Sequence, residues 1–184
     1  MFSDGPDNQS IKAMTFAETV NTIVPGAAPM SVLWLLKQGR VQEALIKADS
    51  VSAAVLLADQ DEYGRNALQV AVEKGPLHRA YTEVAEVLIK TLRLVMTAEG
   101  PALDHQDFHG FSAFFIAVQT GNANVIEALA EAGATITALT TARSNVFHLV
   151  LSAKAPNKIA LLKRLIELFH DRACDLRSHL NAAN

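Results

Sequence analysis

The sequence contains few of the residues that cross-link a protein or interrupt its helices. Its single cysteine, Cys174, excludes an intramolecular disulfide bond and a cysteine-rich zinc site. Glycine and proline number only 9 and 6 among 184 residues, which argues against a disordered chain. Aromatic residues make up 6% and alanine is abundant, which suits closely packed helices better than a β-sandwich. The composition therefore favours a helical protein of one domain, or of two small ones, with its own core.

The charge balance and the N-terminal residues exclude several classes of protein. A net charge of −3 is too small to indicate a nucleic acid partner. Residues 1–10 are polar and acidic, and they lack the basic start and apolar core of a signal peptide. The charge-free stretch 19–36 is long enough to span a membrane, but Pro25 and Pro29 would break a helix there. We therefore expect neither nucleic acid nor membrane among the partners.

The chain contains an internal repeat. The stretch D-E-Y-G-R-N-A-L-Q-V-A-V-E-K-G from Asp61 aligns without a gap with D-F-H-G-F-S-A-F-F-I-A-V-Q-T-G from Asp107. A weaker copy, S-N-V-F-H-L-V-L-S-A-K, places Asn145 thirty-three residues after Ser112, and M-S-V-L-W-L-L-K-Q-G ends at Gly39. Fixed spacing of this kind indicates stacked supersecondary units.

Each position of the repeated unit has a physical reason. Gly64 and Gly110 allow a left-handed turn ahead of a helix, and Gly75 and Gly121 end that helix. Polar residues that can cap the helix precede it in three copies: Asn66, Ser112 and Asn145. The pattern predicts short helices near 66–74, 112–120 and 146–153, each followed by a reversal and a longer helix.

These motifs resemble the ankyrin repeat family. Residues 107–139 look like one complete repeat, in which S-A-F-F-I-A stands at the family's T-P-L-H-x-A core and Gly133-Ala134 at its later G-A. The other units are similar but less regular: about 30–60, 61–106 with an insertion, and 140–170 with His148 at the family's histidine. The resemblance implies an all-α solenoid of stacked helix–turn–helix units with short hairpin-like loops. We expect residues 1–29 to form a tail and a capping helix, and residues 30–184 the repeat domain with a C-terminal capping helix.

The departures from the repeat lead to three further expectations. The interval from Asp61 to Asp107 is 46 residues, thirteen more than the period, and we expect its last eight to extend the second helix to about residue 98. Thr140 and Arg143 replace the turn's Asp and Gly, so an irregular turn is expected in the last unit. Two apolar stripes at helical spacing predict inward-facing residues: Val84, Val87, Leu88, Leu92 and Val95, then Ile159, Leu162, Leu165, Ile166 and Phe169.

The common catalytic motifs are missing, so the sequence predicts neither an enzyme nor a cofactor. It has no GxxxxGK[ST], GxGxxG, HExxH or CxxC. The segment from Gly110 to Phe114 begins like a nucleophile elbow but lacks its second glycine, and Ser112 has a structural role as an N-cap.

Two side-chain clusters leave a chemical alternative open. Asp104, His105, Asp107 and His109 could bind a divalent metal, although polar loop tips are common before a repeat. His170 and Cys174 share a helix face and could form a reactive thiol pair, although a packed core cysteine is the simpler interpretation.

The predicted function is protein–protein interaction, as a scaffold, adaptor or regulator that binds on the concave loop and short-helix face. By analogy with the family, recognition residues lie in the loops and just before each reversal glycine: Glu62, Tyr63, Arg65, Glu73, Lys74, Phe108, His109, Phe111, Gln119 and Thr120. The partner would be another protein.

An alternative is a self-associating structural protein that dimerises through the extended helix 84–98. The expected location is the cytoplasm. A protein that a bacterium delivers into a host cytosol without a classical signal peptide also fits.

Overall fold

The computed structural model describes residues 30–152 and 157–172, and from Ser31 onward they belong to one compact unit. Helix–helix packing dominates this part of the chain, whose only two strands are two residues long. The predicted capping helices in 1–29 and after residue 172, residue 153 at the end of a predicted helix, and Cys174 lie outside the described residues.

The described part contains nine α-helices and one short hairpin. The helices are α1 Val32–Lys37, α2 Val41–Ser50, α3 Ala53–Ala58, α4 Ala67–Lys74, α5 Arg79–Leu92, α6 Ala113–Thr120, α7 Ala123–Glu131, α8 Val146–Ser152 and α9 Lys158–Asp171. The strands are β1 Met96–Thr97 and β2 Gly100–Pro101, antiparallel, with Met96 opposite Pro101. Single 3₁₀ turns occupy Gly75–Leu77 and Ala102–Asp104.

The helices stack in two rows. The short helices α1, α4, α6 and α8 pack against one another in that order, and the longer α2, α5 and α7 form a second row behind them. An Arg164–Glu127 ion pair attaches α9 to α7, and the Arg172 guanidinium donates to the carbonyl oxygens of Ala130 and Ala134. The prediction of an all-α fold of stacked helix pairs is confirmed.

Local sequence starts each short helix as expected. The Asn66 side chain accepts from Gln69 N and the Gln69 side chain from Asn66 N, which forms a capping box. Ser112 Oγ accepts from Phe115 N at 3.4 Å, and Asn145 Oδ1 from His148 N at 3.1 Å. Helices at 67–74, 113–120 and 146–152 agree with the prediction to within one residue.

The two reversal glycines serve different purposes. Gly121 ends α6 in the left-handed region, with φ of 72°, as expected for a helix C-terminus. Gly75 instead has φ of −48° and begins a 3₁₀ turn. A Cβ atom at Gly75 would lie 2.6 Å from Asn122 Nδ2. Gly75 therefore ends α4 at a place where a Cβ atom would meet a neighbouring side chain, although its backbone is right-handed.

The expected extension of the second helix to residue 98 is wrong. Helix α5 ends at Leu92, and the chain continues through the hairpin and a 3₁₀ turn that buries Ala102 and Leu103. Only Val84, Leu88 and Leu92 of the predicted stripe are buried; Val87 and Val95 are partly exposed. The dimer interface proposed on a helix of residues 84–98 therefore has no such helix to form on.

Helix α9 buries a different face from the one predicted. Leu161, Leu165, Leu168 and Phe169 are buried, with the Phe169 ring 5.0 Å from that of Phe147 on α8. Ile159 and Ile166, two of the predicted core residues, are 73% and 47% exposed, and Leu162 is partly exposed.

Candidate functional site

The loops before the short helices form a row of tips joined by backbone hydrogen bonds. Phe108 N donates to Tyr63 O at 3.0 Å, which joins the tip at 61–65 to the next one. Thr141 N donates to His109 O at 3.1 Å, which joins that tip to a third. The tips therefore hold fixed positions relative to one another.

A carboxylate or hydroxyl closes each tip from within. Asp61 Oδ1 accepts from Tyr63 N and Arg65 N, and Asp107 Oδ1 accepts from the N–H groups two and four residues later. In the third tip Thr140 Oγ1 accepts from Ser144 N. Arg143 adopts the left-handed conformation there, with φ of 58°. The third turn keeps the two backbone bonds of the other tips, from Thr140 N to Ser144 O and from Arg143 N to Thr140 O. Its backbone is therefore regular, contrary to expectation, and Thr140 Oγ1 supplies one of the two side-chain bonds that the usual Asp makes.

The predicted glycine conformations are confirmed at the first two tips. Gly64 and Gly110 have φ of 77° and 78°. A Cβ atom at Gly110 would lie 2.5 Å from Thr141 N of the next loop, and one at Gly64 would lie 2.7 Å from the Phe108 ring. Both glycines therefore serve the contact between tips as well as the turn.

The charged residues of the first tip form a connected network. Arg65 donates to Asp61 Oδ2 from Nε and Nη2 at 3.0 and 2.8 Å, and to Glu73 Oε2 from Nη1 at 2.7 Å. Its guanidinium also lies 5.1 Å from the centre of the Tyr63 ring. Lys37 Nζ donates to Glu62 Oε2 at 2.7 Å. Glu62, Arg65 and Glu73 therefore hold the tip against α1 and α4.

These contacts shift the ionisation of the groups involved. Burial opposes ionisation of Asp61, but hydrogen bonds from Arg65 and from the backbone of Arg65 and Tyr63 outweigh it and lower its pKa. The hydrogen bond from Lys37 lowers the pKa of Glu62, and the same bond raises the pKa of Lys37. The network is charged at neutral pH.

Gln69 is a structural residue that the sequence interpretation did not single out. Its side chain is 1% exposed, and Nε2 donates to the carbonyl oxygens of Phe111 at 2.6 Å and His105 at 3.3 Å. Gln69 stands at the histidine position of the family's core motif. Its place in that motif could have indicated that the Gln69 side chain bonds to the neighbouring loop.

The remaining predicted residues differ in how accessible they are. Lys74 Nζ donates to Leu36 O at 2.9 Å and lies 5.6 Å from the centre of the Tyr81 ring, and Thr120 Oγ1 donates to Ile116 O. Phe111 is half-buried, whereas His109 and Gln119 are exposed.

The most exposed aromatic side chains of this region lie on adjacent tips. Tyr63 is 49% exposed and Phe108 is 71% exposed. One edge of the Phe108 ring contacts the Gly64 backbone, and its other side faces solvent. We call Tyr63, Phe108 and His109 the tip surface.

The polar residues suspected of binding metal have structural bonds. Asp104 accepts from Thr135 N and Oγ1 at 2.7 and 2.5 Å, and His105 Nε2 bonds to Gly64 O at 2.9 Å. The described residues contain no group of three His, Cys, Asp or Glu side chains placed to hold a metal ion.

The other chemical alternatives gain no support from the described geometry. Ser112 is 2% exposed and caps α6, and the His170 side chain is 91% exposed. Cys174 lies outside the described residues. Within the described residues, every helix is too short or too polar to cross a membrane.

Comparison with known proteins identifies one informative relative. The chain is 34% identical over 90 residues to an ankyrin repeat-containing protein of Arabidopsis thaliana. The match covers 49% of this chain and 15% of that protein, so the chain corresponds to a small part of its relative. No family model matches the chain. The similarity to that protein agrees with the stacked turn–helix–helix units and their left-handed glycines, and together they support the resemblance of this chain to the ankyrin repeat family.

Proposed function

We propose that this protein is a protein-binding module whose partner docks on the tip surface and on the adjoining ends of the short helices. The resemblance to the ankyrin repeat family supports the general role, because ankyrin repeat proteins typically bind other proteins and are typically not enzymes. The location of the binding face is our inference from the geometry of this chain.

The exposure of Phe108 is the observation that carries the proposal. A large aromatic side chain that remains 71% exposed gives the isolated fold little burial energy. The tip itself is held by the bond from Phe108 N to Tyr63 O and by the Asp107 carboxylate. A partner that covers this ring loses little entropy in ordering the loop, which favours tight binding.

Internal bonds divide the ten predicted contact residues into two groups. The side chains of five already have bonds within the chain: Glu62, Arg65, Glu73, Lys74 and Thr120. The other five make no side-chain hydrogen bond to the described residues: Tyr63, Phe108, His109, Phe111 and Gln119. We propose that the second group supplies most of the binding energy and that the first group maintains the shape of the surface.

The test is affinity capture with the whole protein immobilised, identification of the captured protein by mass spectrometry, and measurement of its affinity for purified variants. We expect Phe108→Ala to weaken binding at least tenfold, because truncating a ring buried by a partner costs about 2 kcal/mol. Its free energy of unfolding should change by less than about 1 kcal/mol, because the ring is mostly exposed.

Leu77→Ala is the matched control. Leu77 is an 81% exposed apolar residue in the turn after α4, outside the tip surface. The Leu77→Ala substitution should leave the affinity for the captured partner unchanged. Equal affinities for the Phe108 and Leu77 variants would move the binding face elsewhere.

We further propose that the protein acts in the cytoplasm, either of its own cell or of a host into which a bacterium delivers it. A fluorescent fusion expressed in the source cell checks the first location, and a translocation reporter assay checks the second. Light scattering on the purified protein measures its oligomeric state, and the proposed binding mode requires no dimer.

A further inference from the structure

A cleft of about 550 Å³ lies beside the loops, away from the tip surface. Its walls come from the end of α3, from the hairpin segment of residues 93–104, and from the loops before α6 and after α7. None of Tyr63, Phe108, His109 or Phe111 lines it. Its volume is within the range of about 300–1,000 Å³ that is usual for ligand sites.

The hairpin segment is an addition to the repeat. In the third unit the chain passes from α7 to the turn at Thr140 without a hairpin. In the second unit the chain forms a hairpin here. Ala102 and Leu103 of this segment are buried, whereas Thr97 and Glu99 are exposed beside the cleft. This wall of the cleft is therefore formed by an insertion and not by the repeated part of the unit.

The walls are held in place without a ligand. Ala102 N donates to Val95 O at 2.8 Å and Thr97 Oγ1 donates to Gly100 O at 2.9 Å, which closes the hairpin. Asp104 joins the hairpin segment to the opposite wall through both of its bonds to Thr135. A ligand would meet a preformed cleft.

The lining is acidic and has unused hydrogen-bonding groups. Glu99 and Asp104 line the cleft, and neither lysine nor arginine does so in the part of the chain that the structure describes. Within the same part of the chain, the Glu99 carboxylate and the Gln106 amide make no hydrogen bond. Leu57 and Pro101 supply accessible apolar wall between these polar groups, whereas Ala102 is buried behind it.

We propose that this cleft binds a basic side chain of the partner protein together with the peptide backbone beside it. The Glu99 carboxylate pairs with the guanidinium or ammonium group, since it lies at a negative site without a cation. The aliphatic stem of the basic side chain lies along Leu57 and Pro101, and the Gln106 amide bonds to the flanking peptide group. The proposal rests on the proposed protein-binding function and adds a second, charge-specific contact to it.

The test uses blocked tripeptides and ¹⁵N-resolved NMR of the whole chain. Acetyl-Gly-Arg-Gly-amide and its lysine counterpart should shift the amide signals of residues 97–100, 102–106 and 135–138, whereas acetyl-Gly-Gln-Gly-amide should not. The shifts should weaken as salt is raised, because the contact is ionic. Equal responses to the Arg and Gln peptides, or shifts spread over the whole surface, would overturn the proposal.

Charge variants localise the contact. Glu99→Lys should weaken Arg-peptide binding at least tenfold, and Glu99→Gln at least threefold. Glu86→Lys is the matched control, because Glu86 is exposed on α5 and lies outside the cleft. The Glu86→Lys variant should bind the Arg peptide as tightly as the parent does. A loss of affinity as large as that of Glu99→Lys would refute a specific site.

Failure of this proposal can be distinguished from failure of the proposed function. If Phe108→Ala weakens capture of the natural partner and Glu99→Lys does not, the cleft proposal is refuted and the tip surface stands. If Glu99→Lys weakens capture and Phe108→Ala does not, the cleft is supported and the tip surface is refuted.

Discussion

Replacing Gly110 with alanine tests the contact between neighbouring loop tips. Gly110 has φ of 78°, a conformation that costs a residue with a Cβ atom roughly 1–2 kcal/mol. The new Cβ would lie 2.5 Å from Thr141 N and 3.0 Å from Thr140 C. Because both neighbours are backbone atoms, the two loops must move apart.

Separating the loops breaks specific bonds. Thr141 donates to His109 O from its backbone N at 3.1 Å and from Oγ1 at 2.7 Å. Each such bond contributes about 0.5–1.5 kcal/mol, so Gly110→Ala should cost about 3 kcal/mol in total. With a urea dependence of about 2 kcal/mol/M, the unfolding midpoint should fall by about 1.5 M.

Gly133→Ala separates the conformational penalty from the contact. Gly133 has φ of 95°, and a Cβ atom there would meet nothing within 4 Å. The free energy of unfolding of the Gly133→Ala variant should therefore fall only by the left-handed penalty, roughly 1–2 kcal/mol. Urea unfolding followed by circular dichroism at 222 nm measures both variants, and equal losses would show that Gly110 does not hold the two loops together.

Four further substitutions test the inter-loop bond, the charged network of the first tip and the core of α9. Gln69→Ala should cost about 2–4 kcal/mol in urea unfolding, because it leaves two partly buried carbonyl oxygens of the loop before α6 without their hydrogen bond; a loss below about 1 kcal/mol would contradict this role. The lowered pKa of Asp61 means that its stabilisation is present above about pH 4 and is lost as the pH falls through its folded-state value. The melting temperature of the parent should therefore exceed that of Asp61→Asn at pH 7, and the difference should shrink below about pH 4; a constant difference would show that ionisation contributes nothing. Leu165→Ala should cost about 3 kcal/mol and Ile166→Ala less than about 1, since Leu165 is 0% and Ile166 47% exposed; similar losses would restore the stripe expected from sequence.

Local interactions explain why the short helices were predictable. An N-cap side chain bonds within three residues, and a left-handed glycine meets a requirement of its own turn. Asn66, Ser112 and Asn145 therefore mark helix starts in the sequence, and the structure places them there.

The end of α5 was not predictable in this way. Val84 to Val95 keep a helical spacing, which favours a longer helix. The structure ends the helix at Leu92, and the chain then turns so that Ala102 and Leu103 are buried. Burial against neighbouring units outweighs the small propensity gain of another exposed turn.

The same distinction applies to the candidate sites. The sequence placed Tyr63 and Phe108 on adjacent tips, because each follows an Asp at a fixed position in the repeat. It did not separate the residues with internal bonds, such as Arg65 and Lys74, from those that remain exposed. Lys74 bonds to Leu36 of the preceding unit, and Arg65 bonds to Glu73, eight residues away on α4. The geometry of these bonds depends on how the loop and the helices pack.

By itself the sequence determined the repeat, the positions of the helix caps and turn glycines, and the resemblance to the ankyrin repeat family. These features depend on hydrogen bonds and dihedral angles within a few residues of one another. Only the tertiary structure decided the end of α5, the buried face of α9, the bonds between tips and the acidic cleft beside the hairpin segment. Each of these features requires a contact between groups far apart in the sequence. The free energy of such a contact depends on how much of each surface the neighbouring residues already bury.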